Sequence, residues 1–304
     1  MKSLIAPPRA ALAFLLLCLN TAVHVPILLL FALFKLVLRF RAAQVGLTRV
    51  LMAIAASWVA VNSAMMRSFT PTRFHFEGLQ ALEQRGWYLV ISNHQSWVDI
   101  PVLQMALNRR VPMLKFFLKK QLIWVPVMGL AWWALDFPFM RRHTREQIER
   151  NPALRLQDIN ATRRACAKFQ YTPVSVMNFV EGSRFTPAKH ARQTSPYRHL
   201  LLPKAGGVAF VLQTMGEMLH ALLDITLVYP GGRPSLYQLL SGQVPEVRLS
   251  VRLRELPADL IGRDYQEDAE FRARFQQWLN QLWADKDAEI ERLQESAGVA
   301  TPAA

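Results

Sequence analysis

The sequence predicts an α/β protein in which a mixed sheet flanked by helices follows an N-terminal, membrane-embedded helical segment. Long apolar runs occupy the first 66 residues. Short β-branched and aromatic runs then alternate with helical patterns from residue 74 to residue 253, and an amphipathic pattern follows. Alternating strands and helices are typical of a sheet covered by helices. At 304 residues and 52% hydrophobic content, the chain can form one substantial domain and a smaller segment.

The net charge of +14 calls for an acidic partner: nucleic acid, an anionic membrane surface or a phosphorylated substrate. Cys18 and Cys166 are too few for a disulfide framework, so we predict free thiols and a reducing compartment around the globular part. No Cys/His cluster has metal-ligand spacing, and no metal site is predicted.

The apolar N-terminus favours a membrane over nucleic acid. Residues 10–38 are long enough to span a bilayer, whereas residues 50–66 are barely of that length. A basic loop, from Lys35 to Arg49, separates the two runs, so two full spans would conflict with the positive-inside tendency. We expect either a helical pair in the cytoplasmic leaflet or one span followed by an interfacial helix. The alternative is a buried helical hairpin of a soluble protein.

The composition becomes mixed after Pro71, which sets the predicted domain boundaries. We predict membrane-anchoring helices at 1–68, an α/β domain with a C-terminal amphipathic helix at 69–296, and a disordered tail at 297–304. Strands are predicted at 74–77, 87–91, 112–118, 137–140, 174–180, 225–229 and 247–253. Helices are predicted at 99–107, 119–133, 144–169, 204–223 and 265–293, with a loop up to residue 203. Residues 247–253 alternate apolar side chains with Arg and Ser, which predicts a half-exposed edge strand.

The candidate chemistry begins at residues 87–101, WYLVISNHQSWVDIP, where a buried strand gives way to a helix. The junction places His94 and Asp99 at the carboxyl end of a strand, where sites in α/β sheets tend to lie. On one continuous helix, five residues turn through about 500°, so the two side chains meet only if the chain bends between them. We interpret them as a general base and its orienting partner. A compatible alternative for Asp99 is a cap of the helix that starts at Ile100.

A second motif, FVEGSRFT at residues 179–186, ends the strand predicted at 174–180. Gly182 permits a tight turn, and Arg184 projects at the carboxyl edge of the sheet. A guanidinium and backbone N–H groups in this arrangement suit an anion such as a phosphate. If the motif stood alone, an ordinary strand-ending turn with solvated Glu181 and Arg184 would be the better interpretation.

Together, NHxxxxD from Asn93 and EGSR from Glu181 resemble the N-H-x4-D and F-P-E-G-[TS]-R motifs of glycerolipid acyltransferases of the 1-acylglycerol-3-phosphate acyltransferase type. Three weaker blocks also fit that family: FPFMRR at 137–142, KAG at 204–206 and ITLVYP at 225–230. The sequence is most similar to bacterial inner-membrane acyltransferases and eukaryotic lysocardiolipin acyltransferases, which share LDFPFM-[KR]-R and NFVEGSRFT. The resemblance covers residues 75–285, and Val180 stands where many relatives have Pro.

This resemblance implies a glycerolipid acyltransferase fold and transfer of a fatty acyl group from acyl-CoA or acyl carrier protein to a lysophospholipid hydroxyl. The acceptor implied first is 1-acylglycerol-3-phosphate, with lysophosphatidylglycerol or lysocardiolipin as the alternative. His94 would accept the hydroxyl proton and Asp99 would orient the ring. The leaving thiol needs no strong acid, so neither a covalent intermediate nor a cofactor is expected. The residues expected at the acceptor phosphate are Arg142, Glu181, Gly182, Ser183, Arg184 and Lys204.

The implied partners are a phospholipid membrane, the lysophospholipid and the thioester donor, without nucleic acid. The implied location is the bacterial inner (cytoplasmic) membrane, with the catalytic domain on the cytoplasmic side. Residues 116–133 are expected in the core, with an acyl-chain groove as the alternative, and the basic residues at 141–145 and 189–198 either meet an acidic donor or are solvated. No serine has glycine on both sides as in a lipase elbow. The competing functions are a catalytically silent membrane-associated binding protein, a nucleic-acid-binding protein and a thioesterase.

Overall fold

The computed structural model describes residues 2–140, 150–151, 153, 160, 163–164, 166–265 and 267–298. It begins with two helices, α1 (Lys2–Val37) and α2 (Arg41–Phe69). Both are long and apolar enough to cross a membrane. Polar side chains pair between them: the Asn20 amide donates to the Asn62 side-chain oxygen at 2.7 Å, and His24 bonds to Ser57 at 3.2 Å. These pairs show that the helices run antiparallel, and they satisfy the polar groups that interrupt both apolar runs.

A six-stranded sheet forms the centre of the fold. Its strands are β1 (Arg73–Glu77), β2 (Tyr88–Ser92), β3 (Leu114–Phe116), β6 (Ser175–Phe179), β7 (Ala221–Val228) and β8 (Glu246–Arg254). The strand order is β1-β8-β7-β2-β6-β3, and every neighbouring pair is parallel except β7 and β8. Two short strands, β4 (Leu118–Lys119) and β5 (Phe139–Met140), pair separately. The predicted mixed sheet is confirmed.

Helices cover both faces of this sheet. They are α3 (Asp99–Leu107), α4 (Met128–Ala134), α5 (Pro187–Gln193), α6 (Ala205–Met215), α7 (Leu236–Leu240) and α8 (Ala269–Glu295). β2 is buried throughout and alternates its side chains between two cores: Leu89 and Ile91 pack towards α6 and α8, and Val90 packs towards α3. This explains why the strand has an uninterrupted apolar sequence.

The predicted amphipathic C-terminal helix is confirmed, with Phe271, Phe275 and Trp283 buried against the sheet. A buried ion pair also attaches it. Lys286 contacts the Asp224 carboxylate in the middle of β7, and its ammonium also donates to the Ile225 carbonyl at 2.6 Å. α8 is therefore fixed to the central part of β7 by charge as well as by apolar contact.

Strand β8 corrects one prediction. It lies between β1 and β7 and is not an edge strand. The arginines that suggest an exposed face are instead paired: Arg252 contacts Glu289, and the Arg254 guanidinium lies 3.0 Å from the Asp224 carboxylate. The charged positions of β8 therefore face α8 and the neighbouring strand rather than only solvent.

Three other boundaries differ from prediction. The predicted helix at 119–133 consists of a 3-10 turn, Lys120–Trp124, and then α4. The predicted loop before residue 203 contains α5, which the Thr186 hydroxyl caps by accepting from the Lys189 N–H. The predicted helix at 204–223 ends at Met215, and β7 begins at Ala221. Most of the predicted helix at 144–169, and the tail from residue 299, lie outside the described residues.

The segment predicted as core with an acyl groove as alternative is divided between core and surface. Ala131 and Ala134 are buried in a cluster with Leu28 and Leu51 of the helical hairpin. Trp124, in contrast, is 84% exposed. The core interpretation therefore holds for one face of α4, whereas Leu130 and Trp133 of that helix and Trp124 before it contribute an apolar surface.

Candidate active site

Both sequence motifs lie at the carboxyl edge of the sheet. β2 and β6 are parallel neighbours, and Ser92 pairs with Phe179 at their carboxyl ends. The first motif follows β2 directly and the second follows β6, so the register brings them together. β7 is also parallel to β2 and ends at the same edge. The expected location at this edge is thus where the two motifs meet.

Asn93 continues the sheet through its side chain. Its amide nitrogen donates to the Leu227 carbonyl at 2.8 Å, and its side-chain oxygen accepts the Leu227 N–H at 2.9 Å. The residue is completely buried. Because both backbone groups of Leu227 are satisfied by this side chain, the main chain at Asn93 can leave the sheet and turn towards His94.

The predicted pair of His94 and Asp99 is in hydrogen-bond contact. The Nδ1 atom of His94 lies 2.8 Å from Oδ2 of Asp99, with the carboxylate fully buried and the imidazole 15% exposed. An Nδ1–H that donates to the carboxylate leaves the lone pair on Nε2. The imidazole also stacks on Phe179, with 3.9 Å between ring centres and 14° between planes. The ring is therefore held on one face and at one nitrogen, and its second nitrogen is the one available to a substrate.

The carboxylate of Asp99 closes the bend that brings it to the imidazole. Its Oδ2 atom also accepts the N–H groups of Gln95 and Ser96, at 2.6 and 3.0 Å. The predicted capping role is wrong, because Asp99 is itself the first residue of α3 and its carboxylate accepts N–H groups that precede the helix. Its other oxygen accepts the Tyr229 hydroxyl at 2.7 Å. Burial and the neighbouring carboxylate raise the pKa of Tyr229 well above its usual value, so this phenol remains a donor.

Glu181 does not lie where the sequence analysis expects it. It is completely buried, and its two oxygens accept the N–H groups of His94 at 2.9 Å and Leu201 at 3.1 Å. Burial raises the pKa of Glu181 to about 7, although these two hydrogen bonds oppose the shift. A buried carboxylate with this role does not fit a phosphate ligand or a contact that positions Arg184. Its position links the turn at His94 to the chain at Leu201.

The rest of the second motif, from Gly182 to Arg184, follows Glu181 at the same edge of the sheet and is less buried. Gly182 has φ of +66°, and a Cβ atom there would lie 3.1 Å from the Lys204 side chain. Ser183 and Arg184 are half-buried, and Lys204 is exposed. The Arg184 guanidinium carbon lies 4.3 Å from the centre of the Trp97 ring. The loops that carry these positive groups therefore lie at the same edge of the sheet as the imidazole, since the Phe185 N–H donates to the His94 carbonyl and the Lys204 N–H to the Val180 carbonyl. The predicted phosphate ligand Arg142 lies outside the described residues.

Three residues of the site are missing from the sequence analysis. Tyr229 bonds to Asp99, Trp97 supports Arg184, and the Arg233 guanidinium carbon lies 3.9 Å from the centre of the Phe185 ring. Tyr229 belongs to the apolar block that ends before Pro230, and nothing local in that block indicates a role for its hydroxyl. A polar group at the carboxyl end of a predicted parallel strand is the signal that could have identified it.

A cavity of about 450 Å³ lies away from this site and is lined by Met52 and Ala56 of α2 and by Asn108 and Leu114. Because β3 begins at Leu114, this cavity lies at the amino-terminal edge of the sheet, opposite His94. Among the described residues, no group of three or more His, Cys, Asp or Glu side chains is arranged to hold a metal ion.

Comparisons with known proteins agree with this geometry. A family model described as Acyltransferase matches residues 73–230, just over half of the chain. The chain belongs to the acyltransferase family. The matched range contains both motifs and ends just after Tyr229, so it includes every residue that contacts the His94 and Asp99 side chains above. The family resemblance of the sequence is thereby confirmed.

Individual relatives in this family support the same assignment. The chain is 27% identical over 226 residues to 1-acyl-sn-glycerol-3-phosphate acyltransferase gamma of Mus musculus, covering 69% of this chain and 54% of the relative. It is 26% identical over 222 residues to 1-acyl-sn-glycerol-3-phosphate acyltransferase 3 of Arabidopsis thaliana, covering 67% and 53%. This acyltransferase therefore spans about half the length of the curated relatives it matches.

The fold has a solved counterpart. The 1-acyl-sn-glycerophosphate (LPA) acyltransferase PlsC from Thermotoga maritima superposes with a TM-score of 0.54 at 14% identity, over 94% of this chain and 97% of that chain. At this identity the similarity concerns the fold, including the two N-terminal helices. It confirms the predicted acyltransferase-like sheet preceded by a helical segment.

Proposed function

We propose that this protein transfers a fatty acyl group from an acyl thioester to the free hydroxyl of 1-acylglycerol-3-phosphate at a membrane surface. The observation that carries the proposal is the 2.8 Å hydrogen bond between His94 and buried Asp99, which leaves the Nε2 lone pair for a substrate. The loop that carries Arg184 is bonded to the same turn, because the Phe185 N–H donates to the His94 carbonyl at 2.8 Å. The relatives named as 1-acyl-sn-glycerol-3-phosphate acyltransferases supply the substrate class.

In the proposed reaction, Nε2 of His94 accepts the proton of the acceptor hydroxyl as its oxygen attacks the thioester carbon. Asp99 keeps the proton on Nδ1 and stabilises the imidazolium that forms. The C–S bond breaks and the thiolate leaves, taking the proton from His94 or from water. A thiol with a pKa near 8.5 is a good leaving group, so the reaction needs neither a covalent enzyme intermediate nor a cofactor.

Arg184, with Lys204 and the backbone at Gly182, is the proposed holder of the acceptor phosphate. The Arg184 guanidinium rests on Trp97, which leaves its edge N–H groups for a phosphate. Trp97 itself is 62% exposed. An exposed tryptophan beside a phosphate-binding arginine suits a headgroup that enters from a membrane interface.

A turnover assay tests this proposal. Purified protein is given acyl-CoA or acyl carrier protein donors and a panel of lysolipids, and His94→Ala is compared with wild type. We expect acylated product from 1-acylglycerol-3-phosphate and a fall in kcat of ~10²- to 10⁴-fold in the variant. Wild-type turnover by the folded variant would remove the base assignment. Free fatty acid released without any acceptor would indicate a thioesterase, and no turnover with any pair would favour a binding protein.

We also propose that the helical hairpin lies along one leaflet and does not span the bilayer. Near its start, α1 packs on Leu240 through Ala13, and near its end it packs on α4 through Ala32. These contacts are about 28 Å apart along the helix axis, close to the thickness of the hydrocarbon core. A helix that packs on the α/β part of the protein over this length cannot also extend away from it across a bilayer. Its outer face is apolar, with Leu12, Leu15, Leu19, Val23, Leu30 and Leu33 exposed.

The proposed membrane is the bacterial inner membrane, with the site facing the cytoplasm, where the free thiols of Cys18 and Cys166 fit a reducing environment. Single cysteines at Ser3→Cys and Ala42→Cys, each with Cys18→Ser and Cys166→Ser, test the topology of α1. An impermeant maleimide applied to sealed vesicles should label both positions from the cytoplasmic side. Labelling from opposite sides would show that α1 spans the bilayer.

A further inference from the structure

A second guanidinium contacts the loop that carries Arg184. Arg233 follows β7, and its guanidinium carbon lies 3.9 Å from the centre of the Phe185 ring. The preceding residue of that motif, Arg184, rests in the same way on Trp97 at 4.3 Å. Two arginines therefore stack on two aromatic rings, one in the turn at residues 94–99 and the other in the loop after β6. Stacking fixes the plane of a guanidinium and leaves its edge donors available.

Hydrogen bonds connect the loops that carry these groups. The Phe185 N–H donates to the His94 carbonyl at 2.8 Å, and the Ser96 hydroxyl donates to the Pro234 carbonyl. On the other side of Arg233, the Tyr229 hydroxyl bonds to Asp99. The chain at 229–234 is thus attached at both ends to residues 94–99. These bonds hold the backbone on both sides of Arg233 close to residues 94–99.

The charge of both arginines is available to a ligand. Within the part of the chain that the structure describes, neither Arg184 nor Arg233 forms an ion pair with a carboxylate. Partial burial lowers the pKa of Arg233, and the charge of Glu181 opposes that shift. The Glu181 oxygens, however, are occupied by backbone N–H groups inside the fold. Two guanidiniums, on Trp97 and on Phe185, thus remain available to a ligand.

We propose that Arg233 is a second phosphate-binding residue, which with Arg184 holds the acceptor's phosphate and selects a phosphate monoester over a diester. This inference rests on the proposed function. A monoester carries a charge of about −1.5 to −2 at neutral pH and offers three oxygens, whereas a diester carries a single charge and offers two. Two guanidinium forks match the monoester better, because each fork binds two oxygens. The pair would favour 1-acylglycerol-3-phosphate over lysophosphatidylglycerol.

The test compares Arg233→Gln with wild type and with Arg274→Gln, which makes the same charge change on an exposed position of α8. We expect the KM of Arg233→Gln for 1-acylglycerol-3-phosphate to rise ~10- to 100-fold, the worth of a charge-assisted hydrogen bond, with kcat changed little. KM for lysophosphatidylglycerol should change far less, and KM for the acyl donor should stay the same. Arg233→Lys, which keeps the charge without the fork, should fall between, and Arg274→Gln should match wild type.

A binding measurement separates this inference from the reaction. Titration of 1-acylglycerol-3-phosphate into detergent-solubilised protein without donor should show weaker affinity for Arg233→Gln by the same factor as KM. An unchanged affinity, an equal loss for both lysolipids, or a rise in the donor KM instead would overturn the assignment; the last result would place a donor phosphate at Arg233. If wild type acylates the monoester and Arg233→Gln does so equally well, only this inference fails. If wild type acylates no lysolipid, the proposed function fails and this inference with it.

Discussion

Replacing Asp99 by asparagine tests whether its charge, and not only its shape, supports the reaction. The carboxylate oxygen Oδ2 accepts three bonds, from the imidazole and from two backbone N–H groups, and Oδ1 accepts one from Tyr229. In Asp99→Asn, the amide oxygen can occupy the Oδ2 position and accept the same three hydrogen bonds. The amide nitrogen then faces Tyr229, whose hydroxyl can turn to accept. The fold and the ring tautomer are therefore retained while the negative charge is lost.

The magnitude follows from the contact distance. With 2.8 Å between Nδ1 and Oδ2, the centres of imidazolium and carboxylate charge lie about 4 Å apart. At an effective dielectric constant of about 20, their attraction is ~4 kcal/mol. In the proposed reaction the imidazolium forms only as the hydroxyl proton is transferred. Loss of this attraction should therefore lower kcat by ~10³-fold. KM for acceptor and donor should change little, because neither substrate contacts the buried carboxylate.

Steady-state assays at saturating donor and acceptor measure this loss, and Tyr229→Phe is the matched control. That variant removes one hydrogen bond to the same carboxylate at 2.7 Å but keeps its charge. We expect a lower unfolding temperature from the lost bond and a fall in kcat below ~10-fold. A kcat near wild type in Asp99→Asn would refute the role of the charge. Equal losses in the two variants would show that the position of the imidazole, and not its stabilisation, limits the reaction.

Three further predictions concern stability. Gly182→Ala should cost ~1–2 kcal/mol of unfolding free energy, because φ is +66° and the new Cβ would lie 3.1 Å from Lys204; a wild-type denaturation midpoint would contradict this strain. Lys286→Met should lower the unfolding free energy by ~3–5 kcal/mol, because it takes one partner from the buried Asp224 carboxylate. Adding Asp224→Leu to Lys286→Met should restore part of that stability. A double variant no more stable than Lys286→Met would count against ion pairing. The pKa of Glu181 is about 7 in the folded protein and 4.5 in the unfolded chain, so between these pH values the folded protein keeps a proton that the unfolded chain has lost. The unfolding free energy should therefore fall by ~3 kcal/mol as pH rises from about 4.5 past 7. Glu181→Gln should remove that part of the pH dependence in denaturant titrations, and an identical slope in both proteins would show that another group titrates.

Local patterns predict the elements whose side chains depend on near neighbours. The helix at 99–107 has the predicted bounds because its apolar spacing and its proline in the first turn are local signals. The local pattern allows the pairing of His94 with Asp99, because the strand-to-helix junction supplies the bend between them, but the second motif and the family resemblance are needed to predict it. The cap at Thr186 also has a local signal, a threonine followed by a proline, but the basic composition of the segment favours a loop.

Contacts between distant parts of the chain explain what the sequence analysis missed. The arginines of β8 have the spacing of an exposed edge, but their partners come from β7 and α8, which no local pattern reveals. Glu181 has the position of a phosphate ligand in its motif, yet its acceptor capacity is taken by N–H groups of His94 and Leu201. Tyr229 and Arg233 reach the site from the segment after β7, more than a hundred residues after His94, so their roles depend on the strand order.

The part of the chain beyond the family match also has a place in the site's architecture. α8 begins at Ala269, after the matched range ends at residue 230. Its buried Lys286 binds the Asp224 carboxylate and the Ile225 carbonyl, in the middle of β7. The same strand supplies Leu227, which pairs with the side chain of Asn93, and continues to Tyr229, which bonds to Asp99. α8 therefore supports, through Lys286, the strand whose Leu227 and following Tyr229 are bonded to Asn93 and Asp99, so this C-terminal helix braces the turn that carries the imidazole.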